Sequence, residues 1–256
     1  MSTYHIYQNL LAQVERVFRH SRQGSIQTRR RYKEAVCRFC YFLAEVYHLE
    51  RLANIAPKHI FAYVEFLKEN GKAASTIKTD LAAIRFFHDQ MPQVKYHTLP
   101  DNSMLDLERR SFGKVDRTWS EREFNRMIGK AWGEGREDYA AALCLARYCG
   151  LRIHEVFRLD TAAAERALKA GALTVKGKGG KVRTVPLTET PRIELTKMLA
   201  QTQRGHKLFV PDDMPTDRAI NNFQCFIYRY RNEVQDADSH RPMTCHGLRH
   251  TYAVEQ

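Results

Sequence analysis

The sequence predicts a mainly helical protein of two domains, with one β-hairpin in the second. Three observations carry this. Apolar residues recur every three or four positions along most of the 256-residue chain. That period lapses between about residues 92 and 117, where Pro92, Pro100 and Gly113 stand among mixed charges. Between Leu173 and Leu187, apolar and polar residues alternate around a glycine-rich turn.

An opening helix is expected over roughly residues 4–19. From Tyr32, Val36, Phe39, Leu43, Val46 and Tyr47 form one face of a second helix. Pro57 suits the first turn of a third and precedes the apolar residues Ile60, Phe61, Val64 and Leu67, and Gly71 breaks the pattern. Ser75 is the expected N-cap of a fourth carrying Ile77, Leu81, Ile84 and Phe87. These four make an N-terminal unit, residues 1–95, followed by a linker, 96–117. A second domain, 118–256, opens on the capping box Ser120-x-x-Glu123 ahead of Phe124, Met127 and Ile128. A helix follows from about Asp138 to Tyr148, with Gly150 as its stop, and another begins near Arg152 with Val156 and Leu159 inward. Leu173 and Val175, the turn at Gly177–Gly180, and Val182 with Val185–Leu187 make the hairpin. Helices then fit 189–202 and 216–232, the latter with Ile220, Phe223, Ile227 and Tyr230 on one face, and a last helix starts near Thr244.

The net charge of +12 and a pI near 9.5 favour a polyanionic partner, because Lys and Arg that neutralise phosphates release condensed counterions. Residues 1–95 hold 15 Lys+Arg against 8 Asp+Glu, and the remainder is basic as well, so the charge is not confined to a tail. No run of eighteen apolar residues argues for a membrane span, and the polar start at Met1–Asn9 lacks a signal-peptide core. Cys37-x-x-Cys40 lies inside a helical pattern with no second pair at zinc spacing, so the six cysteines read as reduced thiols of a cytoplasmic protein.

Chemistry concentrates in three short stretches. In Gly150–Glu155, Arg152 opens a helix, and a guanidinium can grip a phosphate with two parallel hydrogen bonds while keeping its charge. Glu155, three residues on, shares its helical face and can orient it. Taken alone, the pair reads as a surface ion pair. In Lys176–Arg183, Lys178 stands at the hairpin tip, where an ammonium can reach a leaving oxygen as a general acid. Lys176, Lys181 and Arg183 add positive charge, and alone this is equally a solvated basic turn. The spacing matches neither a P-loop nor GxGxxG. In His246–Ala253, His246 and Arg249 are three apart and face the same way, a proton carrier beside a second guanidinium. Alone, they read as a satisfied histidine next to a salt-bridged arginine.

In this order the three stretches resemble the tyrosine recombinase (phage integrase) family: an Arg with an acid three residues later, a hairpin Lys, then His-x-x-Arg. Val175–Leu187 resembles the family's hairpin wording, V-x-G-K-G-x-K-x-R-x-V-P-L, almost throughout, and Ser75–Phe87 resembles its core-binding domain. The resemblance implies a helical core-binding (SAM-like) domain and a mostly helical catalytic domain of the DNA breaking-rejoining fold, clamped around duplex DNA. It implies site-specific strand cutting and rejoining through a 3'-phosphotyrosine, with neither metal nor cofactor. Arg152 and Arg249 would hold the scissile phosphate, Lys178 would protonate the departing oxygen, His246 would assist proton transfer, and Glu155 would buttress Arg152. In the family the tyrosine follows the second Arg by a few dozen residues, whereas seven residues follow Arg249 here. The catalytic domain is therefore expected to be incomplete at its C-terminus, with the nucleophile supplied beyond Gln256 and Tyr252 packed inward beside Leu248.

The basic run Arg29, Arg30, Arg31 and Lys33 and the helix with Lys78 and Arg85 are expected to meet DNA phosphates, as are Lys176, Lys181 and Arg183. The expected partner is double-stranded DNA, bound by a monomer, whereas intact family members assemble as tetramers on DNA. The expected setting is a mobile element, with the protein cytoplasmic and nucleoid-associated. Two other readings stay open: an inactive protein that occupies recombination sites, and a basic helical nucleic-acid binder outside the family.

Overall fold

A computed structural model describes residues 2–20, 25–109, 115–177 and 180–255. The chain divides into two compact units, Met1–Phe112 and Gly113–Gln256.

The first unit is built from α1 (Thr3–His20), α2 (Ile26–Tyr47), α3 (Pro57–Glu69) and α4 (Ala74–His88). Ile6, Leu10 and Val14 of α1, four apart, are buried against Val36, Phe39 and Leu43 of α2 and Ile77, Leu81 and Ile84 of α4. Each such fully buried side chain contributes roughly 1.5–3 kcal/mol relative to exposure. Ser25 caps α2 by accepting the Thr28 N–H, and Pro57 takes the first turn of α3. Ser75 does not cap α4. The cap is Ala73, whose carbonyl accepts the N–H groups of Thr76 and Ile77, so Ser75 lies in the first turn. The segment that follows α4 lies against this unit as far as Glu108. Leu105 is buried in the core, the Arg85 guanidinium donates to the Pro100 carbonyl at 2.8 Å, and Lys78 donates to the Glu108 carbonyl. Lost periodicity here marks an irregular segment held by side chains.

The second unit contains α5 (Glu121–Gly133), α6 (Glu137–Tyr148), α7 (Ile153–Val156), α8 (Thr161–Ala170), α9 (Glu189–Gln201), α10 (Thr216–Val234) and α11 (Cys245–Glu255). Strands β1 (Ala172–Lys176) and β2 (Val182–Pro186) pair antiparallel, with Leu173 opposite Val185 and Val175 opposite Arg183. The capping box is present: Ser120 Oγ accepts the Glu123 N–H, and Glu123 accepts the Ser120 N–H at 2.8 Å. Helix α6 is nearly all buried and forms the axis of the unit, with Tyr139 edge-on to Phe223 and Phe226 of α10. Helix α8 was not expected. Its sequence, TAAAERALKA, has high helix propensity but almost no large apolar residues, so the period that reveals the other helices is faint. Asp160 caps it, and Gly171 ends it in the left-handed conformation at φ +67°.

All six cysteines are free thiols. Among the described residues, no helix is long and apolar enough to cross a membrane, and no cluster of His, Cys, Asp and Glu is arranged to hold a metal.

Candidate active site

The second unit's site begins where α6 stops. Gly150 turns the chain at φ +55°, a conformation that L side chains adopt at a cost. The turn leaves Arg152 extended at the mouth of α7, where its N–H donates to Glu155 Oε2 at 2.8 Å. The same carboxylate takes the Arg152 side chain, Nη1 to Oε1 at 3.1 Å. The Glu155 side chain is 1% exposed, so this is an internal anchor and not a surface pair.

Two more arginines converge on that anchor. Arg183, from β2, binds both carboxylate oxygens, at 2.9 and 2.7 Å. Arg249, from α11, donates to the Gly150 carbonyl, and its Nη1 lies 4.0 Å from Glu155 Oε2. Three guanidiniums, each partly exposed, around one buried carboxylate leave two positive charges in excess. Burial would push the Glu155 carboxyl upward, but hydrogen bonds from Arg183 and the Arg152 backbone, with their charges, hold it down at about 2. It is therefore ionised throughout the physiological range.

The hairpin reaches the same place. A Cβ on Gly177 would sit 3.3 Å from Glu155 Oε1 and 3.4 Å from Arg152 Nη1, so a glycine lets the strand end approach the pair. Lys178, the next residue, lies outside the described residues. Lys176 and Lys181, on either side of the tip, are exposed.

Helix α11 also carries His246, exposed and ring to ring with His250 at 5.0 Å. Its pKa is lowered, first by partial desolvation, then by the positive field of His250, Arg117, Arg249 and Arg152. A lowered histidine is neutral at pH 7 and free to accept a proton. The helix is fixed by residues that sequence reasoning missed. Trp119 is 2% exposed, donates its N–H to Thr251 Oγ1 at 2.9 Å and donates its indole N–H to the Thr244 carbonyl at 3.2 Å. A Cβ on Gly247 would come within 2.3 Å of the Arg117 carbonyl, so only glycine permits this approach. The small residues Gly247 and Thr251, four apart on one face of α11, were the available signal.

Tyr252 does not enter the core beside Leu248. Leu248 is fully buried, whereas Tyr252 is half-buried with its ring laid over Gly150. The glycine turn offers a bare backbone surface, and the ring covers it.

The structure thus brings together Arg152, Glu155 and Arg249, with His246 in the same field. Arg183, expected to face DNA, is engaged by Glu155. In the first unit Arg85 donates to Pro100 and to Asn102 Oδ1, and Lys78 to Glu108. Arg29, Arg30, Arg31 and Lys33 lie on α2, where Arg30 pairs with Glu34 at 3.1 Å and Lys33 with Glu15.

Residues 118–255 match the sequence pattern of the phage integrase family. The chain belongs to that family. Residues 11–91 of this integrase-family chain match the phage integrase N-terminal SAM-like domain. Among curated relatives, the tyrosine recombinase XerD of Halalkalibacterium halodurans is 24% identical over 213 residues, covering 78% of this chain and 68% of the relative. The XerD of Oceanobacillus iheyensis is 24% identical over 233 residues, 87% of this chain and 76% of the relative. Two solved structures share the fold. The Tn1549 transposon integrase in complex with transposon right-end DNA aligns at TM-score 0.65 and 16% identity, over 100% of this chain and 86% of that one. Lambda integrase residues 75–356 bound to DNA aligns at TM-score 0.62 and 16% identity, over 99% and 85%. The mainly helical fold with one small hairpin is therefore the integrase fold, as the sequence led us to expect.

Proposed function

We propose that this integrase-family chain is a site-specific DNA recombinase whose second unit activates one phosphodiester of a bound duplex. The observation that carries the reading is the convergence of Arg152 and Arg249 on Glu155. Charges preorganised in a half-buried site stabilise the negative charge that builds on the phosphorus oxygens without reorganising during the reaction. Arg152 and Arg249 each hold a non-bridging oxygen, and Glu155 fixes their directions. Lys178 protonates the departing oxygen, and neutral His246 carries a proton nearby. The XerD relatives and the DNA-bound integrases support the same reading. The helical unit of residues 1–95 grips the duplex through Arg29–Arg31 and Lys33, and Lys176 and Lys181 meet phosphates beside the hairpin tip. The protein works in the cytoplasm, at the nucleoid.

A phosphotyrosine link needs a hydroxyl held in line with the leaving oxygen. Tyr252 is occupied with covering Gly150, three residues from Arg249 on the same helix, and is not that group. Tyr252 is therefore left out of the catalytic set. The test has two parts. Selection from randomised duplexes should recover a shared sequence that stays bound at salt concentrations that release random DNA; recovery of no shared sequence contradicts the recombinase reading. On a nicked duplex of that sequence, residues 1–256 should bind without forming a covalent adduct. An adduct mapped to Tyr252 would sink that assignment.

A further inference from the structure

We propose that Arg183 is a positioning residue whose task is to neutralise Glu155, so that Arg152 and Arg249 keep their charge available to a phosphate. The inference rests on the recombinase reading above and deepens it, because the sequence alone made Arg183 one more phosphate contact.

Glu155 is the only carboxylate that the described residues place against these three guanidiniums, and its side chain is 1% exposed. An unneutralised buried carboxylate takes the nearest cations fully. Here the nearest are Arg152, at 3.1 Å, and Arg249, at 4.0 Å, the two groups proposed to hold substrate. Arg183 pre-empts them. Its two nitrogens meet both oxygens at 2.7 and 2.9 Å, closer than either of the other side chains, in the parallel two-bond geometry that only an arginine offers. Its Nη2 also reaches the Gly150 carbonyl, at 3.4 Å, the same oxygen that receives Arg249. Arg183 therefore competes with Arg249 for both of its internal partners.

The position is built for this. Arg183 is paired with Val175, which is buried, so the two side chains share the inward face of the hairpin, and that of Arg183 meets Glu155 of α7 there. With the guanidinium bound twice to a buried carboxylate, few of its donors remain for DNA.

Without Arg183, Glu155 should draw Arg152 and Arg249 inward, and affinity for a phosphate should fall even though neither residue has changed. The test is binding of the selected duplex by wild type, Arg183→Gln, Arg183→Lys, Glu155→Gln/Arg183→Gln and Arg152→Ala, with the melting temperature of each. Arg183→Gln should bind about tenfold more weakly, the scale of one charge-assisted hydrogen bond. Arg183→Lys, which keeps the charge but not the fork, should fall between. The double variant should bind more tightly than Arg183→Gln, because it removes the carboxylate together with its neutraliser, yet stay weaker than wild type, because Glu155 no longer fixes the directions of Arg152 and Arg249. A direct phosphate contact by Arg183, or a purely structural role, would leave the double variant as weak as Arg183→Gln or weaker, and that result overturns the proposal, as does unchanged binding by Arg183→Gln. If instead wild type fails to prefer the selected duplex, or Arg152→Ala binds like wild type, the recombinase reading itself fails. The double variant leaves no buried carboxylate without a cation, so it reports even if Arg183→Gln alone folds poorly.

Discussion

The basic surface of α2 and the arginine cluster around Glu155 use the same side chains to opposite ends. On α2, Arg30 is 76% exposed and its partner Glu34 53%, four residues away on the same helix, so water competes for both. Around Glu155, arginines drawn from three separate elements share one carboxylate that is 1% exposed. Exposed pairs are worth little to stability and leave the charge free for a polyanion. A buried carboxylate fixes direction, and losing it leaves like charges facing one another. Charge alone therefore says that DNA can be bound, and burial says where a single phosphate would be held.

The largest effect should come from breaking the buried hub. Glu155→Ala leaves Arg152, Arg183 and Arg249 without their shared anion and should cost about 3–5 kcal/mol in a urea titration. The Arg30→Ala change tested alongside should stay within ~0.5 kcal/mol. Equal losses would erase the contrast between the regions. The same hub gives a pH signature. Glu155 is held at about 2, below its ordinary 4.5, so its contribution is fully present above its unfolded pKa and is lost as pH falls through the window between those values. Urea midpoints measured through that window should converge for wild type and Glu155→Gln.

Next in size is the fixing of α11. Gly247→Ala forces a Cβ against the Arg117 carbonyl and Trp119 and should destabilise by roughly 1–3 kcal/mol, with loss of duplex binding beyond that expected from stability. Gly150→Ala meets the Tyr252 ring in addition to a left-handed φ, and Tyr252→Ala in the same chain should recover part of its loss, since it clears the ring but not the strain. No recovery would mean that the ring does not matter to the turn.

The smallest effect belongs to α2. Neutralising Arg29, Arg30 and Arg31 together should leave the melting temperature nearly unchanged, yet flatten the salt dependence of duplex binding by about one unit of slope per lost phosphate contact. An unchanged slope would remove these residues from the DNA surface.

Much of this was legible because large apolar residues mark helices clearly. α2, α3, α5, α6 and α10 announce themselves by period, and the hairpin by alternation around its glycines. Helix α8 was hidden because alanine favours helix without marking a face. The candidate site was legible as motifs, since Arg152, Glu155, His246 and Arg249 stand in short recognisable spacings. What linked them was not. Arg183 on Glu155 and Trp119 on Thr251 are contacts between residues 28 and 132 positions apart, and no local pattern encodes such distances. Ser75 misled for the opposite reason: a good capping residue stood two positions past a turn whose backbone satisfied itself at Ala73.

The central claim is that Arg152 and Arg249 hold one phosphate between them. A crystal structure of the protein on its selected duplex tests it most directly. The account predicts a single phosphate whose two non-bridging oxygens lie about 3 Å from guanidinium nitrogens of Arg152 and Arg249, with Arg183 still on Glu155. A duplex bound elsewhere, or a phosphate held by Arg183 while Arg152 and Arg249 stay folded onto Glu155, would contradict it.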